Sequence, residues 1–268
     1  MSNEGLGTTN THKNRRKDQR TRKSSLLLLR LLSSFFDSFF LISFFFFFLK
    51  NLKFNNSISF LMSNSNEELW EVSTSGNLDL VKHLVSDPAV DVNWGDPDFD
   101  RTAFYRACGH NRVSVVKFLL SHPQVDVNKP QSQGATPFSI ACQQGRQEVV
   151  TLLLADPRID VNMPNNGEAT PFFMACQNGD KEVVSLLLAD KRVDVNKPQE
   201  GSFTPFSLAC EEGHQEVVSL LLADTRVDVN TPSRDGCTPL YFACNGGHAN
   251  VVSLLLADTR VDVNAPDK

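Results

Sequence analysis

The 268-residue sequence predicts an all-α solenoid of stacked helix-turn-helix units, separated by long turns, over residues 64–268. Three observations support this prediction. A Val/Ile-Asp-Val-Asn motif recurs every 34 residues, a Thr and a Cys recur at the same interval, and each interval contains two short helical patterns on either side of a turn residue. Sequence periods of about 20–50 residues are typical of solenoids and propellers, and two helices per period favour the solenoid.

The positions of the repeated residues predict six units. The Asn that ends the motif lies at Asn93, Asn128, Asn162, Asn196, Asn230 and Asn264, so that only the first step is 35 residues. The recurring Thr lies at Thr102, Thr136, Thr170, Thr204 and Thr238, and the recurring Cys at Cys108, Cys142, Cys176, Cys210 and Cys244. We therefore predict repeats over about residues 64–97, 98–131, 132–165, 166–199, 200–233 and 234–267, with residues 1–63 outside the fold.

The third unit shows how each element is predicted. Thr136 is a helix N-cap, and Pro137 takes the first helical position, where its missing N–H costs no hydrogen bond. Gly145 is suited to the left-handed conformation that ends a helix. The second helix contains the run 149–154, which is apolar on nearly all sides and is therefore expected to be buried between neighbours. An extended segment and a turn complete the unit at residues 159–162 and 164–167.

The two terminal units are expected to differ. Helices of about two turns are too short to be stable alone, so each unit depends on stacking against its neighbours. The first unit has Lys82 and His83 where the third unit has Thr151 and Leu152, and such a polar face is typical of a cap. The last unit is as apolar as an inner one at residues 253–256. This predicts an exposed apolar end face, covered either by further chain or by pairing.

At the level of whole units, the sequence resembles the ankyrin repeat family. The family pattern is Thr-Pro-Leu, a pair of small residues, Gly-His, a Val/Leu helix and Asp-Val-Asn. The closest matches are residues 204–206, 209–210 and 213–214 in the fifth unit, and residues 238–240, 243–244 and 247–248 in the sixth. Two features depart from it: the family period is 33 residues, and the second unit has Ala103 after its Thr and Asn111 in place of the inter-helix Gly.

The resemblance carries expectations of its own. It implies loops that protrude as turns or β-hairpins, and partner binding along a concave strip. Separately, the sequence contains no catalytic motif. The resemblance also implies that the motif asparagines can be targets of an asparaginyl hydroxylase, namely Asn128, Asn162, Asn196, Asn230 and Asn264.

Chemically active residue types occur in the repeats, but their spacing favours structural roles. The register cysteines are expected to be buried as small apolar side chains, because equivalent positions in neighbouring helices lie about 8–10 Å apart, too far for disulfides. Cys237 lies in a turn and is expected to be more accessible. His214 and His248 lack metal-ligand spacing and are expected to make structural hydrogen bonds. The motif Asp side chains are expected to be solvated or bonded within their turns.

Positions that vary between units predict where a partner binds. They fall at the turn tips and at the end of each first helix. The candidates at the tips are Gln131, Gln133, Asn165, Asn166, Gln199, Glu200, Arg234 and Asp235. The candidates at the helix ends are His110, Gln143, Gln144, Gln177, Asn178, Glu211, Glu212 and Asn245. Beside them, Tyr105, Phe173 and Tyr241 share one register position, where we expect exposed aromatic anchors.

The first 63 residues have a different composition. They contain 10 Lys and Arg against 3 Asp and Glu, and a basic stretch at residues 13–23 precedes a Leu/Phe-rich stretch. Asp37 leaves only the uncharged run 38–49 intact, whereas a spanning helix needs about 20 residues. Three interpretations of this segment remain open. The start site is assigned too early and Met62 is the true start, or the segment is a membrane anchor, or it is a disordered tail.

These observations together predict a cytoplasmic, non-catalytic scaffold or adaptor that binds another protein, with no cofactor, metal or small-molecule substrate. Residues 64–268 contain 16 Lys and Arg against 28 Asp and Glu, a balance of −12. That balance disfavours nucleic acid and favours a partner with a basic patch. Two alternatives remain: an adaptor tethered to a membrane through residues 25–49, and the regulatory arm of a larger enzyme that continues beyond Lys268.

Overall fold

The computed structural model describes residues 55–265, with side chains from residue 65 onward. The chain divides into two compact units, Met1–Ser59 and Phe60–Lys268, and nearly all of the first lies outside the described residues. The suggested membrane anchor at residues 25–49 is therefore also outside them. Within the described part, no helix is both long enough and apolar enough to cross a bilayer.

The described residues form helices, as the all-α prediction requires. The helices are α1 Asn55–Ser75, α2 Leu78–Val85, α3 Ala103–Gly109, α4 Val113–Ser121, α5 Pro137–Gln143, α6 Gln147–Leu154, α7 Pro171–Asn178, α8 Lys181–Ala189, α9 Pro205–Glu211, α10 Gln215–Ala223, α11 Pro239–Asn245 and α12 Ala249–Ala257. They come in consecutive pairs, a first and a second helix per unit, and α1 is longer than the other first helices.

Each first helix from α3 onward begins at the repeated Thr. The hydroxyl of Thr136 accepts a hydrogen bond from the backbone N–H of Ser139 at 3.0 Å, which satisfies one of the free donors of the first turn. The same cap starts the helices at Thr102, Thr170, Thr204 and Thr238. The turn after α5 is left-handed at Gly145, with φ of 64°, and Asn111 adopts the same conformation with φ of 56°. Asn can replace Gly here because its short polar side chain tolerates the left-handed conformation.

The core lies between helices of successive units. First helices contact first helices and second helices contact second helices along the chain. Phe104, Phe138, Phe172 and Phe206 from the first helices, and Leu119, Leu153, Leu187 and Leu221 from the second, belong to one continuous buried cluster. Loss of one such side chain typically costs about 2–5 kcal/mol, so contacts between units contribute a large part of the stability of the stack.

The protruding loops are turns rather than β-hairpins, the other form expected for them. Among the described residues, the only paired β-bridge links Gly95 and Thr102. Each later loop is closed by two backbone hydrogen bonds, for example from Gly134 N–H to Gln131 O at 2.7 Å and, at its base, from Gln131 N–H to Ala135 O at 3.0 Å. Helix α5 begins at Pro137, two residues after that bond, and Pro has no N–H to donate, so a second rung cannot form.

Candidate functional site

The Asn of the repeated motif joins each unit to the next. The side-chain N–H of Asn128 donates to the carbonyl of Arg158 at 2.7 Å, and its side-chain oxygen accepts from the N–H of Asp160 at 3.0 Å. The equivalent pairs of bonds are made by Asn93, Asn162, Asn196 and Asn230. Both ends of each amide are therefore occupied by the neighbouring unit, which explains why the motif repeats. Hydroxylation of these residues stays a prediction from the resemblance.

The Asp of the same motif bonds within its own turn. The carboxylate of Asp160 accepts from the N–H of Asn162 at 3.0 Å, and the pattern recurs along the array. The prediction that these side chains are bonded within their turns is confirmed. No group of three or more metal-ligating side chains lies close enough to hold an ion within the described residues.

A second inter-unit connection comes from an Asp-x-Arg sequence after each second helix. Arg158 forms a short bidentate contact with Asp156, with 2.6 Å between Nη2 and Oδ2, and also donates to the carbonyl of Leu120 in the preceding unit. Arg192, Arg226 and Arg260 do the same. The hydrogen bond from Arg158 holds the pKa of Asp156 below its ordinary value. Sequence reasoning missed the role of this sequence, which its fourfold recurrence at the 34-residue spacing could have indicated.

A third connection lies along what we call the inter-helix strip, the residues at the ends of the first helices and in the turns that follow them: 109–112, 143–146, 177–180, 211–214 and 245–248. Arg146 Nε donates to the carbonyl of Gly109 at 2.9 Å, and His214 Nε2 to that of Gln177 at 2.8 Å. His248 bonds Glu211 O in the same way. The predicted structural hydrogen bonds of the two histidines are confirmed, and their partner is the preceding unit rather than their own helix.

Most candidates in the inter-helix strip are exposed. Exposed side chains are His110, Gln143, Gln144, Gln177, Asn178, Glu212 and Asn245, while Glu211 is half-buried. The amide of Asn178 donates to the carbonyl of Gln143 at 2.6 Å, so it is partly committed to the fold. Burial, and then the charge of Glu212, raise the pKa of the Glu211 carboxyl above its ordinary value.

The turn tips divide into residues that hold the turn and residues that point away from it. Gln131 is buried, and its side-chain oxygen accepts from the N–H of Gln133. Asn165 and Gln199 are half-buried at the equivalent position, and Asn165 accepts two backbone N–H groups. The remaining tip candidates, Gln133, Asn166, Glu200, Arg234 and Asp235, are exposed. Successive tips are joined by backbone hydrogen bonds, such as Asn166 N–H to Gln133 O at 3.0 Å.

The prediction of three exposed aromatic anchors is wrong for two of them. Tyr105 is 8% exposed and Phe173 is 2% exposed, whereas Tyr241 is 44% exposed. Phe173 packs with Leu208 of the following unit, which covers this register position. Tyr241 belongs to the last described unit and has no described neighbour on that side, so only it presents an aromatic surface.

The cysteines also differ in burial between the inner units and the last described unit. Cys108, Cys142, Cys176 and Cys210 are buried, and burial raises the pKa of each thiol above its ordinary value. The prediction of buried register cysteines is confirmed for these four and wrong for Cys244, which is exposed because no described unit covers it. Cys237 is half-buried, and all six thiols are free.

A cluster at the first end of the array was missed by sequence reasoning. The guanidinium group of Arg106 lies 4.5 Å from the ring centroid of Trp70, and that of Arg101 lies 4.6 Å from Phe99. Arg101 also pairs with buried Asp96 at 2.8 Å. Burial acts to raise the pKa of Asp96, but hydrogen bonds from Arg101 and from backbone N–H groups outweigh it and lower that pKa. These residues lie up to 36 positions apart, so no local pattern could place them together.

The fold and this surface define a class of protein: a tandem array of helix pairs in which shared polar bonds join the units and exposed side chains recur at fixed register positions. The family model for ankyrin repeats (three copies) matches residues 69–165 and 172–267. The chain therefore belongs to the ankyrin repeat family, whose repeats are typically non-catalytic modules for protein–protein interaction. No curated protein matches the chain.

Proposed function

We propose that the chain is a non-catalytic scaffold or adaptor that binds a partner protein along the inter-helix strip and the adjacent turn tips. The observation that supports this proposal is a division among the polar residues. Those that repeat along the array are used in bonds that hold the fold, either within a unit or between units. Exposed residues such as Gln144, Gln177 and Glu212 differ from unit to unit, and their side chains have no hydrogen-bond partner among the described residues.

The net charge of the repeats supports a partner with a basic patch at some part of this surface. With 28 acidic against 16 basic residues over 64–268, the array attracts cationic surfaces over several ångströms and increases their rate of association. Such attraction is screened by salt, so association should slow as the ionic strength rises.

The proposal is tested by comparative capture with the full chain as bait. A strip variant carries Gln144→Ala, Gln177→Ala, Glu212→Ala and Asn245→Ala, all exposed positions without side-chain hydrogen bonds among the described residues. A matched control carries four exposed changes on second helices, Gln147→Ala, Glu182→Ala, Ser219→Ala and Asn250→Ala. We expect a partner identified with the parent chain to bind the control within about twofold and the strip variant at least about tenfold more weakly, which corresponds to about 1.4 kcal/mol. Equal binding by both variants would refute the strip as the interface.

A further inference from the structure

The charge of the inter-helix strip changes sign along the array. Its first end contains His110, Arg112 and Arg146, and Arg106 of helix α3 lies beside them. At the fifth unit the strip presents Glu211 and Glu212 instead. The balance of −12 for the whole array conceals this local reversal.

The three arginines near the first end are held close to one another. Arg106 Nε donates to the hydroxyl of Thr74 at 3.0 Å, and Arg112 Nε donates to the carbonyl of the same residue at 2.7 Å. Arg146 Nε donates to Gly109 O, which is the equivalent carbonyl one unit further along. His110 lies among them, with Nδ1 bonded to the carbonyl of Arg106 at 3.0 Å.

These three arginines have no carboxylate partner, unlike Arg101 and the arginines of the Asp-x-Arg pairs. Arg158, Arg192, Arg226 and Arg260 are each paired with the Asp two residues earlier. Arg106, Arg112 and Arg146 form no ion pair with any residue of the described range 65–265. The nearest acids are committed elsewhere: Asp96 pairs with Arg101, and Asp180, which approaches Gly145, caps helix α8 by accepting from Val183 N–H.

The guanidinium groups are also oriented in advance. Each uses Nε to bind the protein, which leaves the terminal nitrogens able to form the bidentate contact that arginine makes with a carboxylate. Stacking on Trp70 holds Arg106 in addition. Side chains that are already ordered lose little entropy on binding, so such contacts favour affinity more than mobile surface cations do.

The electrostatics agree with an uncompensated positive patch. Burial, followed by repulsion from Arg101, lowers the pKa of Arg106. Burial is also the largest cause that lowers the pKa of His110, and the charges of Arg106, Arg112 and Arg146 add to it. An anion placed here would relieve this repulsion.

We propose that the first end of the inter-helix strip binds an acidic, extended peptide segment of the partner protein, with carboxylates on Arg106, Arg112 and Arg146. This inference rests on the proposed function and specifies the chemistry of its partner. Neighbouring helices lie about 8–10 Å apart and an extended chain advances about 3.3–3.6 Å per residue, so the carboxylates are spaced about three residues apart. Glu211 and Glu212 lie two units beyond Arg146. They bind a basic residue of the peptide about six positions after the second carboxylate, and this pairing fixes the direction of the segment.

The probe is a fluorescein-labelled 12-residue peptide with Glu at its first and fourth positions and Lys at its tenth, in a Gly/Ser background. A second peptide has Gln in place of both Glu. The key variant of the full chain is R112H/R146H, because His occupies the equivalent positions 214 and 248 and makes the same bond to the preceding carbonyl. This variant removes the charge while retaining the bridge. The control K82Q/K191Q removes two exposed charges outside the strip and matches the change in net charge.

At pH 7.5 and low salt, we expect fluorescence anisotropy to show the Glu peptide binding the parent chain and the control alike. We expect R112H/R146H to bind the Glu peptide about tenfold more weakly than the parent chain does. We expect the parent chain to bind the Gln peptide about tenfold more weakly than the Glu peptide. Equal affinity for the two peptides, or for the parent and R112H/R146H, would overturn the inference. Complete competition by millimolar inorganic phosphate would indicate an anion site rather than a peptide site and would also overturn it.

A second measurement avoids any dependence on the folding of the variant. A nitroxide at the amino terminus of the Glu peptide should broaden the NMR amide signals of residues 109–112 in the parent chain and leave those of 245–248 sharp. Broadening confined to another surface would contradict the inference, even if the partner still required the strip in the capture experiment. Conversely, a partner that binds the strip variant as tightly as the parent chain would refute the proposed function, whether or not the Glu peptide binds.

Discussion

The inner units and the last described unit place the same register positions in opposite environments. Phe173 and Cys210 are buried in inner units, whereas Tyr241 and Cys244 at the equivalent positions are exposed. Leu256 and Val263 of the last unit are 59% and 54% exposed, which confirms the predicted exposure of apolar side chains there. The difference teaches that these register positions are buried by the following unit, as expected for a stack held by nearest-neighbour contacts, whereas Leu255 and Ala243 stay buried without one.

The largest expected effect comes from removing the aromatic side chain at the shared register position. Phe173→Ala should destabilise the chain by about 3–5 kcal/mol, because it leaves a cavity among Ala169, Met174 and Leu208. Tyr241→Ala, the matched change in the last unit, should cost less than about 1 kcal/mol, because its ring is largely solvated. Urea unfolding followed by far-ultraviolet circular dichroism measures both. Similar losses for the two variants would contradict the nearest-neighbour interpretation.

An intermediate effect is expected from the asparagine that joins units. Asn196→Ala removes two hydrogen bonds to the next unit and leaves the carbonyl of Arg226 and the N–H of Asp228 without that partner. We expect a loss of about 1–3 kcal/mol. Asn264→Ala changes the same position in the last unit, where the side chain has no bonding partner among the described residues, and should change the urea midpoint only slightly. If both substitutions were neutral, the asparagine ladder would not contribute to stability.

The smallest expected effect concerns acid pH and the Asp-x-Arg pairs. Hydrogen bonds from Arg192 and Arg226 lower the pKa of Asp190 and Asp224. Because the folded-state pKa is the lower one, the stabilisation is complete above the unfolded pKa, near 3.8, and is lost as the pH falls through the folded value. In D190N/D224N the free energy of unfolding should therefore fall less steeply below about pH 5. The difference should be about 0.2–1 kcal/mol per exposed pair. Urea midpoints across this range measure the slope, and an unchanged slope in the variant would show that these pairs do not set the acid sensitivity.

Helix boundaries and caps could be predicted because their causes are local. Thr136 and Pro137 start a helix through bonds within one turn, and Gly145 ends it through its own backbone conformation. Burial of Val149, Val150 and Leu153 was predicted from the apolar run of the second helix, although the structure leaves Glu148 and Thr151 of that helix exposed. Of the two forms expected for the protruding loops, turns formed instead of β-hairpins because the helix begins at Pro137, too soon after the turn for a second rung to form.

The candidate site was only partly predictable. The exposed polar residues of the inter-helix strip were found from their variation between units, but Tyr105 and Gln131 were selected by the same criterion and are buried. Variation does not distinguish a free side chain from one that meets a variable neighbour. The arginine patch escaped notice because its contacts join Thr74 to residues 32 and 38 positions later.

The sequence by itself determined the helix pairs, their period and the polar motif that joins them, because these depend on local hydrogen bonds and on a spacing that repeats. Only the tertiary structure decided which register positions face a neighbouring unit and which face solvent, and which charges find a partner. The physical reason is that stacking brings together residues about one period apart, and whether a carboxylate meets a guanidinium depends on the side chains that each particular pair of units presents.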